Sequence, residues 1–289
     1  MSNLIATPSV VIYPCIPLRT STNERATPVG VATDRSRTMP AMPSPGRRVP
    51  CEQCPLRANA RAFRDFTATE LQFVNTFKSG ELNVEAGTNL LQQGTNSGHL
   101  YTVLSGWAFR YKMLADGRRQ ILNYVLPGDF LGLQASVLNE MQHSADALSP
   151  MVLCIFPREK LWELYRDHPT LAFDLTWLAA QEEQILDEHL LSIGRRTALE
   201  RIAYLLLHLF VRAEQIGLAK GNVTQFPLTQ QHIADTLGMS LVHTNKTLKR
   251  LTASKALRWK DKSFQVMDRD ALAEIAQYDV PPRRRRPFI

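Results

Sequence analysis

The 289-residue sequence predicts an α+β protein with an antiparallel β-roll, then one long helix, then a helix-turn-helix unit with a β-hairpin wing. Three observations predict this order. Eight of the 14 glycines fall between residues 80 and 132 and separate short apolar runs, as in strands joined by tight turns. Residues 170–194 have no internal glycine or proline, as a long helix requires. Residues 227–251 carry the signals of two helices joined by a short turn.

The composition is that of a globular protein with a sizeable core, because 44% of the residues are hydrophobic. No apolar run approaches the roughly 18 residues that would span a bilayer. The N-terminus lacks the charged start and apolar core of a secretory signal. Four cysteines in a chain of this length do not indicate a disulfide framework. We therefore expect a protein of the reducing cytoplasm without a membrane partner.

The charge is unevenly distributed along the chain. Residues 195–289 contain 17 Lys and Arg against 8 Asp and Glu, whereas the remainder contains 17 against 19. A basic end on a near-neutral body is typical of a domain that binds a polyanion. A generally basic, solvated surface would give the same composition, so the motifs must decide.

The first half of the chain divides into a tail and the β-roll. Residues 1–50 are rich in Pro, Ser, Thr and Arg and predict a disordered tail, within which Met1, Met39 and Met42 are each compatible with the true start. Residues 51–165 are predicted to form the β-roll. Asp116-Gly117 is a strong hairpin signal, and the run LPGDF predicts a second tight turn.

The long helix is predicted over residues 166–194. Leu171, Leu175, Leu178 and Ile185 follow a 4-3-7 spacing and form a narrow apolar stripe. A stripe this narrow on a helix this long favours pairing with a second copy of the chain. Packing of the same stripe against its own domain is the alternative.

The helix-turn-helix unit lies within residues 195–280, the predicted DNA-binding domain. Thr229 stands at the N-cap of the first helix, and Ala234 is small enough for a second helix to cross closely. Gly238 supplies the left-handed residue at the helix end, and Ser240 caps the second helix. This punctuation is that of a helix-turn-helix.

The second helix separates into two faces. Leu241, Thr244, Leu248 and Leu251 are predicted to point inward, and the opposite face is predicted to enter a DNA major groove. Asparagine favours adenine, lysine favours guanine and valine can meet a thymine methyl group, while Lys249 and Arg250 are suited to phosphates. The predicted DNA-contacting residues are Thr229, Gln230, Ser240, Val242, His243, Asn245, Lys246, Lys249 and Arg250.

Two further basic segments accompany these helices. A hairpin with Arg258, Lys260 and Lys262 is interpreted as a wing that touches the DNA backbone. The tail at 281–289, with four consecutive arginines at 283–286, is predicted to be mobile and to add non-specific attraction at most.

The motifs LPGDFLG (126–132) and LTQQHIADTLGMSLVHTNKTLKRL (228–251), in this order of domains, resemble the Crp/Fnr family of bacterial transcription regulators. The resemblance covers roughly residues 51–280 and lies closer to the Fnr/FixK-like members than to those that bind cyclic AMP. It implies a homodimeric transcription regulator and not an enzyme; we expect an activator, but the sequence itself does not distinguish activation from repression. It also implies a near-palindromic double-stranded operator and a contact with RNA polymerase.

Departures from the family pattern bear on the ligand and the operator. Leu133 stands where cyclic-nucleotide-binding members have Glu, and His143-Ser144 replaces their Arg-Ser pair. A buried phosphate needs a permanent cation with forked donors, so cyclic AMP is not the expected ligand. Val242 stands where many members have Glu, and Lys246 stands where many members have Arg. These two differences predict an operator weighted toward A and T.

The cysteines match part of the pattern of oxygen-sensing Fnr members, which hold a [4Fe–4S] cluster with three N-terminal cysteines and one from the roll. Cys51, Cys54 and Cys154 match three of these places, but the remaining place is Ala60. One interpretation is a cluster completed by a substitute ligand, such as Cys15 or a small molecule.

Two other interpretations of the cysteines stay open. Cys51 and Cys54 would act as a redox switch if the neighbouring Arg57 and Arg61 favoured thiolates. Alternatively, these are surface thiols and Cys154 is a small buried apolar residue.

The predicted function is therefore a dimeric, sequence-specific DNA-binding regulator that responds to oxygen, redox state or a related signal through the β-roll. The alternative is a cyclic-nucleotide-type ligand sensor without metal or redox chemistry. The sequence contains no paired-carboxylate site, phosphate loop or Ser/His/Asp arrangement, and the residues after Cys54 lack a thioredoxin-like context.

Overall fold

The computed structural model describes residues 50–279 and 285–289. Two sets of predictions therefore lie outside the described residues. The first concerns the N-terminal tail with its start sites and Cys15, and the second concerns residues 280–284 with Arg283 and Arg284.

The described chain begins with the segment that carries the paired cysteines. A 3-10 helix, Cys51–Gln53, is followed by the helices α1 (Pro55–Ala58) and α2 (Ala68–Phe77). Thr67 caps α2, because its hydroxyl accepts the Glu70 N–H at 3.2 Å and the Glu70 carboxylate accepts the Thr67 N–H at 2.8 Å. The cap satisfies backbone N–H groups at the start of α2.

The β-roll consists of two four-stranded antiparallel sheets, in the orders β1-β8-β3-β6 and β2-β7-β4-β5. Its elements are β1 (Gly80–Val84), β2 (Asn89–Leu91), β3 (His99–Ser105), β4 (Ala108–Met113), β5 (Arg119–Val125), β6 (Phe130–Leu131), α3 (Leu133–Leu138), β7 (Ser144–Ala147) and β8 (Met151–Pro157). Gly117, at φ +85°, lies in the turn between β4 and β5, so the hairpin predicted at Asp116-Gly117 is confirmed.

The long helix connects the β-roll to the rest of the chain. α4 (Leu161–Asp167) leads into α5 (Pro169–Arg195), which spans 27 residues. Leu171 and Leu175 are fully buried and Leu178 is 6% exposed, so this part of the predicted stripe packs within its own chain. This burial corrects the dimer-interface prediction for these three leucines, and Ile185 is half-buried. Packing of α5 against α4, β5 and the helix that follows α5 places these leucines inside the chain.

The helix α6 (Ala198–Gln215) is buried over most of its circumference. Ile202, Leu206 and Phe210 are at most 1% exposed. Near its end, Arg212 reaches the β-roll and pairs with Asp129 at 2.7 Å. α6 therefore belongs to the common core of the sensor and DNA-binding parts.

The carboxyl-terminal unit is a helix-turn-helix with a three-stranded sheet of order β10-β11-β9. Its elements are β9 (Val223–Gln225), α7 (Gln230–Leu237), α8 (Leu241–Ala253), β10 (Leu257–Lys260), β11 (Ser263–Val266) and α9 (Arg269–Ala276). The predicted α+β fold class is confirmed in each of its three parts. None of the described helices is long and apolar enough to cross a membrane.

The last residues of the chain do not match the predicted mobile tail. Pro287, Phe288 and Ile289 are buried, and Arg286 pairs with Asp129 at 2.7 Å. The prediction is therefore wrong for residues 286–289, because an Arg-Pro-Phe-Ile end carries two large apolar side chains that gain more from burial than from solvent.

Candidate nucleic-acid interface and sensor site

Two caps set the geometry of the helix-turn-helix. The Thr229 hydroxyl accepts the His232 N–H at 3.2 Å, and His232 Nδ1 accepts the Thr229 N–H at 3.1 Å. Gly238 ends α7 at φ +63°, and the Ser240 hydroxyl accepts the His243 N–H at 3.2 Å at the start of α8. The predicted capping roles of Thr229, Gly238 and Ser240 are thus present.

The outer face of α8 stands in solvent. Val242 is 79% exposed, although it is apolar and lies in the first turn of the helix. The other predicted contact residues that are exposed are Thr229, Gln230, Ser240, His243, Lys246, Lys249 and Arg250. These side chains are available to a ligand in the groove-entering position of a recognition helix.

Two residues of α8 depart from the predicted faces. Leu241 is 42% exposed rather than buried, because it opens the helix beyond the reach of α7. Asn245 is half-buried, and its Oδ1 is shielded from solvent without a hydrogen-bond partner among the described residues. Asn245 therefore faces the groove between α8 and Trp259 of the hairpin rather than open solvent.

The predicted wing is the hairpin of β10 and β11. Asp261 and Lys262 form its two-residue turn, both with positive φ, at +50° and +65°. Arg258, Lys260 and Lys262 are exposed along the hairpin. The wing thus presents three cations beside the recognition helix.

The sensor part touches the helix-turn-helix directly. Arg119 of β5 donates to the Asp235 carboxylate of α7 at 2.7 and 2.9 Å. Gln120 donates to the Thr236 carbonyl at 2.7 Å, and the Tyr124 hydroxyl lies 2.7 Å from the Thr236 hydroxyl. Sequence reasoning missed this contact, because no local pattern pairs residues more than 100 positions apart.

A cavity of about 640 Å³ lies between the β-roll and α5. Gly132, Leu133 and His143 line it from the roll, and Leu178 and Glu182 line it from the helix. Its position between roll and helix makes it the place where a small ligand would bind.

The three arginines that line this cavity are paired with carboxylates. Arg110 binds Glu182, and Arg212 and Arg286 both bind Asp129. Burial, aided by the charges of Arg110 and Lys112, lowers the pKa of His143 to about 3, so this imidazole is neutral at pH 7. A neutral His143 supplies no charge to a cyclic phosphate, which agrees with the expectation against cyclic AMP.

The three cysteines of the described chain lie in the same apolar core. Cys51 and Cys154 are buried and Cys54 is half-buried. Cys154 lies in β8 opposite Glu81, whose carboxylate accepts from Lys78 Nζ at 2.6 Å. The Lys78 charge acts on both Cys54 and Cys154.

Burial makes the thiols of Cys54 and Cys154 weak acids. It raises the pKa of Cys154 to about 12. It also raises the pKa of Cys54, although the backbone N–H groups of Leu56 and Arg57 and the Lys78 charge oppose it. For Cys54 the predicted effect of Arg57 is present, because the Arg57 charge lowers the pKa of this thiol, but desolvation by burial outweighs it.

The described residues do not fit a cluster held by four cysteines. Ala60, at the place of the remaining ligand, is exposed and has no ligating atom. Within residues 50–279 and 285–289, no three His, Cys, Asp or Glu side chains are grouped to hold a metal ion.

Comparison with known proteins places these sites in a family. The Cyclic nucleotide-binding domain family matches residues 81–168, and the Crp-like helix-turn-helix domain family matches residues 200–275. The nitrogen fixation regulation protein FixK of Bradyrhizobium diazoefficiens is 30% identical over 207 residues, which are 72% of this chain and 85% of that protein. The chain belongs to the Crp/Fnr family.

Other members of the Crp/Fnr family agree. The transcriptional activatory protein AadR of Rhodopseudomonas palustris is 32% identical over 60% of this chain and 73% of its own length. The solved structure of FixK2 from Bradyrhizobium japonicum has a TM-score of 0.62 and 26% identity, over 68% of this chain and 96% of that one. The predicted Fnr/FixK-like side of the family is therefore confirmed, and this Crp/Fnr protein is a DNA-binding transcription regulator rather than an enzyme.

Proposed function

We propose that this regulator is a homodimeric activator that reads a near-palindromic operator with α8 and responds to an oxygen or redox signal through its β-roll. The observation that carries the proposal is the solvent-exposed face of α8 beside a cationic wing. The activator role is supported by the relative named as a transcriptional activatory protein.

The nine predicted DNA-contacting residues divide by role. Val242 and Lys246 would read base edges, because both are exposed in the first half of α8. Asn245 would join them only if DNA draws its amide out of the groove. Lys249, Arg250 and the wing would bind phosphates.

Dimerisation would use a neighbouring stripe of α5 in place of the predicted one. Ala179, Glu183, Leu186 and Leu190 repeat at 4-3-4 spacing, and all four are exposed. Leu190 is 66% exposed and Leu186 38%. Two such stripes around a two-fold axis would place two copies of α8 in successive major grooves.

The signal would act at the cysteine segment. Cys51, Cys54 and Cys154 are gathered in one core, so oxidation of any of them would disturb the packing of the others. A second candidate, a sensor of a small uncharged ligand, is favoured by the cavity beside α5 and the neutral His143.

Further parts of the proposal concern partners and boundaries. A contact with RNA polymerase and a cytoplasmic location follow from the role of an activator on chromosomal DNA. The domain boundaries are proposed as predicted, with the sensor at 51–165, the dimerisation helix at 166–194 and the DNA-binding domain at 195–280.

Selection of bound sites from random DNA tests the proposal. The reduced, oxygen-free protein should enrich a near-palindrome whose half-sites lie one helical turn apart, about 10 base pairs. The same selection in air should lose enrichment. If neither preparation enriches any sequence, DNA recognition by α8 is refuted. If both enrich the same sequence equally, the redox signal is refuted and the small-ligand sensor is supported.

A further inference from the structure

The carboxyl-terminal segment forms one backbone bridge with the segment between α1 and α2 of the sensor domain. The Arg286 N–H donates to the Ala62 carbonyl at 2.9 Å, and the Arg64 N–H donates to the Arg286 carbonyl at 3.0 Å. Phe63 and Arg286 thus form a parallel bridge. Backbone pairing of an extended end with residues 62–64 is a known mode of peptide recognition.

Side chains of the same segment fill a prepared site. The Phe288 ring lies 5.4 Å from the Phe63 ring and 4.8 Å from the Phe66 ring, and Phe288 is 2% exposed. The Thr102 hydroxyl donates to the backbone oxygen of Ile289, and Ile289 is 3% exposed. These contacts give the site an aromatic pocket and a polar end.

An electrostatic contact fixes the other end of the segment. The Arg286 guanidinium donates to the Asp129 carboxylate at 2.7 Å and to the Gly128 carbonyl at 3.2 Å. A side chain at position 128 is excluded, because a Cβ there would lie 2.3 Å from the Phe63 ring. The narrow approach at Gly128 therefore brings Phe63 against the docked segment.

The walls of this site are also the surroundings of the cysteines. Arg57, on the helix that follows Cys54, pairs with Asp65 at 2.8 Å, which ties that helix to the residues that hold the tail. Thr102 lies opposite Cys154 in the pairing of β3 with β8.

We propose that the sensor domain carries a peptide-binding site whose ligand is the chain's own carboxyl-terminal segment, and that this docked segment couples the cysteine segment to the DNA-binding domain through Asp129, whose carboxylate pairs with both Arg286 and Arg212 of α6 at 2.7 Å. The coupling rests on the proposed function; the docking does not. Residues 62–66 cannot shift without breaking the backbone pairing and the Phe288 contacts. Coupling between two sites is reciprocal. The free energy by which a docked tail stabilises the cysteine segment therefore equals the free energy by which an ordered cysteine segment stabilises the docked tail.

Trimming of the full-length chain tests the docking first. Carboxypeptidase with mass spectrometry should leave the wild-type chain intact, because the last three residues are buried. Phe288→Ala should lose its last residues at least about tenfold faster, since the docked state then opens locally more often. Arg286→Ala should behave alike, whereas Arg285→Ala is the matched control, because Arg285 is exposed. Rapid trimming of the folded wild-type chain would overturn the site.

Thiol reactivity tests the coupling in the same proteins. Alkylation of Cys54 should be about tenfold faster in Phe288→Ala and Arg286→Ala than in the wild type or Arg285→Ala, because the cysteine segment is released with the tail. Circular dichroism identifies any variant that has unfolded altogether. If Phe288→Ala is unfolded, Arg286→Ala alone tests the coupling. Equal alkylation rates in all four folded proteins would refute the coupling.

Operator binding separates this inference from the proposed function. Operator affinity is measured before and after thiol alkylation, and the ratio of the two values is compared between proteins. Alkylation should change the affinity of the wild type and of Arg285→Ala, so that their ratio differs from one. It should hardly change the affinity of Phe288→Ala, so that its ratio is close to one. A wild-type chain that binds no DNA would refute the proposed function, while resistance to trimming would still support the docked tail. An unchanged ratio in Phe288→Ala would refute transmission through the tail.

Discussion

On α8 the side chains assigned to DNA stand in solvent, whereas in the β-roll the groups nearest to a signal are buried and already bound to one another. On α8, the Val242 side chain is 79% exposed, whereas in the β-roll Asp129 is only 3% exposed. The outer face of α8 can therefore meet a phosphate or a base without first breaking an internal contact. In the sensor, a signal must replace an existing partner, so it acts by rearrangement.

The largest effect is expected from a charge in the buried stripe of α5. Leu178→Asp should destabilise the chain by more than the ~2–5 kcal/mol of a buried Leu→Ala change, because a carboxylate is desolvated as well. Leu190→Asp should leave the free energy of unfolding of the single chain nearly unchanged and convert the proposed dimer to a monomer in sedimentation. Gln184→Asp, on another exposed face, is the control. A dimeric, stable Leu178→Asp variant would contradict the burial of this stripe.

The next largest effect is expected at the buried carboxylate of the sensor. Asp129→Asn leaves Arg212 and Arg286 without a counter-charge and should cost ~3–5 kcal/mol in chemical denaturation. Asp167→Asn, which removes an exposed carboxylate, should match the wild type.

The same substitution has a pH signature. Burial raises the pKa of Asp129, but the Arg212 and Arg286 charges outweigh burial and hold the pKa below its ordinary value. The stability from Asp129 is therefore complete above its unfolded pKa of ~3.9 and is lost as the pH falls through the lower folded value. The difference between wild type and Asp129→Asn should shrink only in that acidic range. A constant difference would mean that charge is not the cause.

A smaller effect is expected on the recognition side. Lys246→Ala should lower specific operator affinity by ~1–3 kcal/mol and relax the preference at one position, because a base contact is lost. The free energy of unfolding should not change, since Lys246 is exposed. Lys255→Ala, outside the predicted contact face, is the matched control in a competition binding assay. Unchanged operator affinity would mean that a face of the protein without Lys246 contacts the bases.

The smallest effect is expected in the wing. Lys260→Ala should weaken binding evenly across sequences and reduce the slope of log affinity against log salt by ~1, because one phosphate contact is lost. A titration of operator and of random DNA at several salt concentrations measures both quantities. A loss confined to the operator would assign Lys260 to base reading instead.

Prediction from the sequence succeeded where the signal is local. Thr229, Gly238 and Ser240 have cap and turn roles that a few neighbouring residues determine, so the helix-turn-helix was placed correctly. The hairpin at Asp116-Gly117 follows the same rule.

Prediction failed where distant contacts decide. The spacing of Leu171, Leu175 and Leu178 reveals an apolar stripe on α5. The helix carries a second stripe beside it, which contains Leu186 and Leu190. Only the folded chain shows that the first stripe is buried and the second is exposed. The arginine neighbours of Cys54 suggested a thiolate, but desolvation by residues far along the chain reverses that expectation. Arg286 looked like part of a solvated run until its partner Asp129, at a separation of 157 residues, was placed beside it.

The burial of Ile289 has a practical consequence for anyone who handles this protein. An affinity tag or fluorescent fusion at the carboxyl end would have to continue from an atom that lies inside the β-roll. Such a fusion would expel the final residues from their pocket, and the purified material would represent the undocked form.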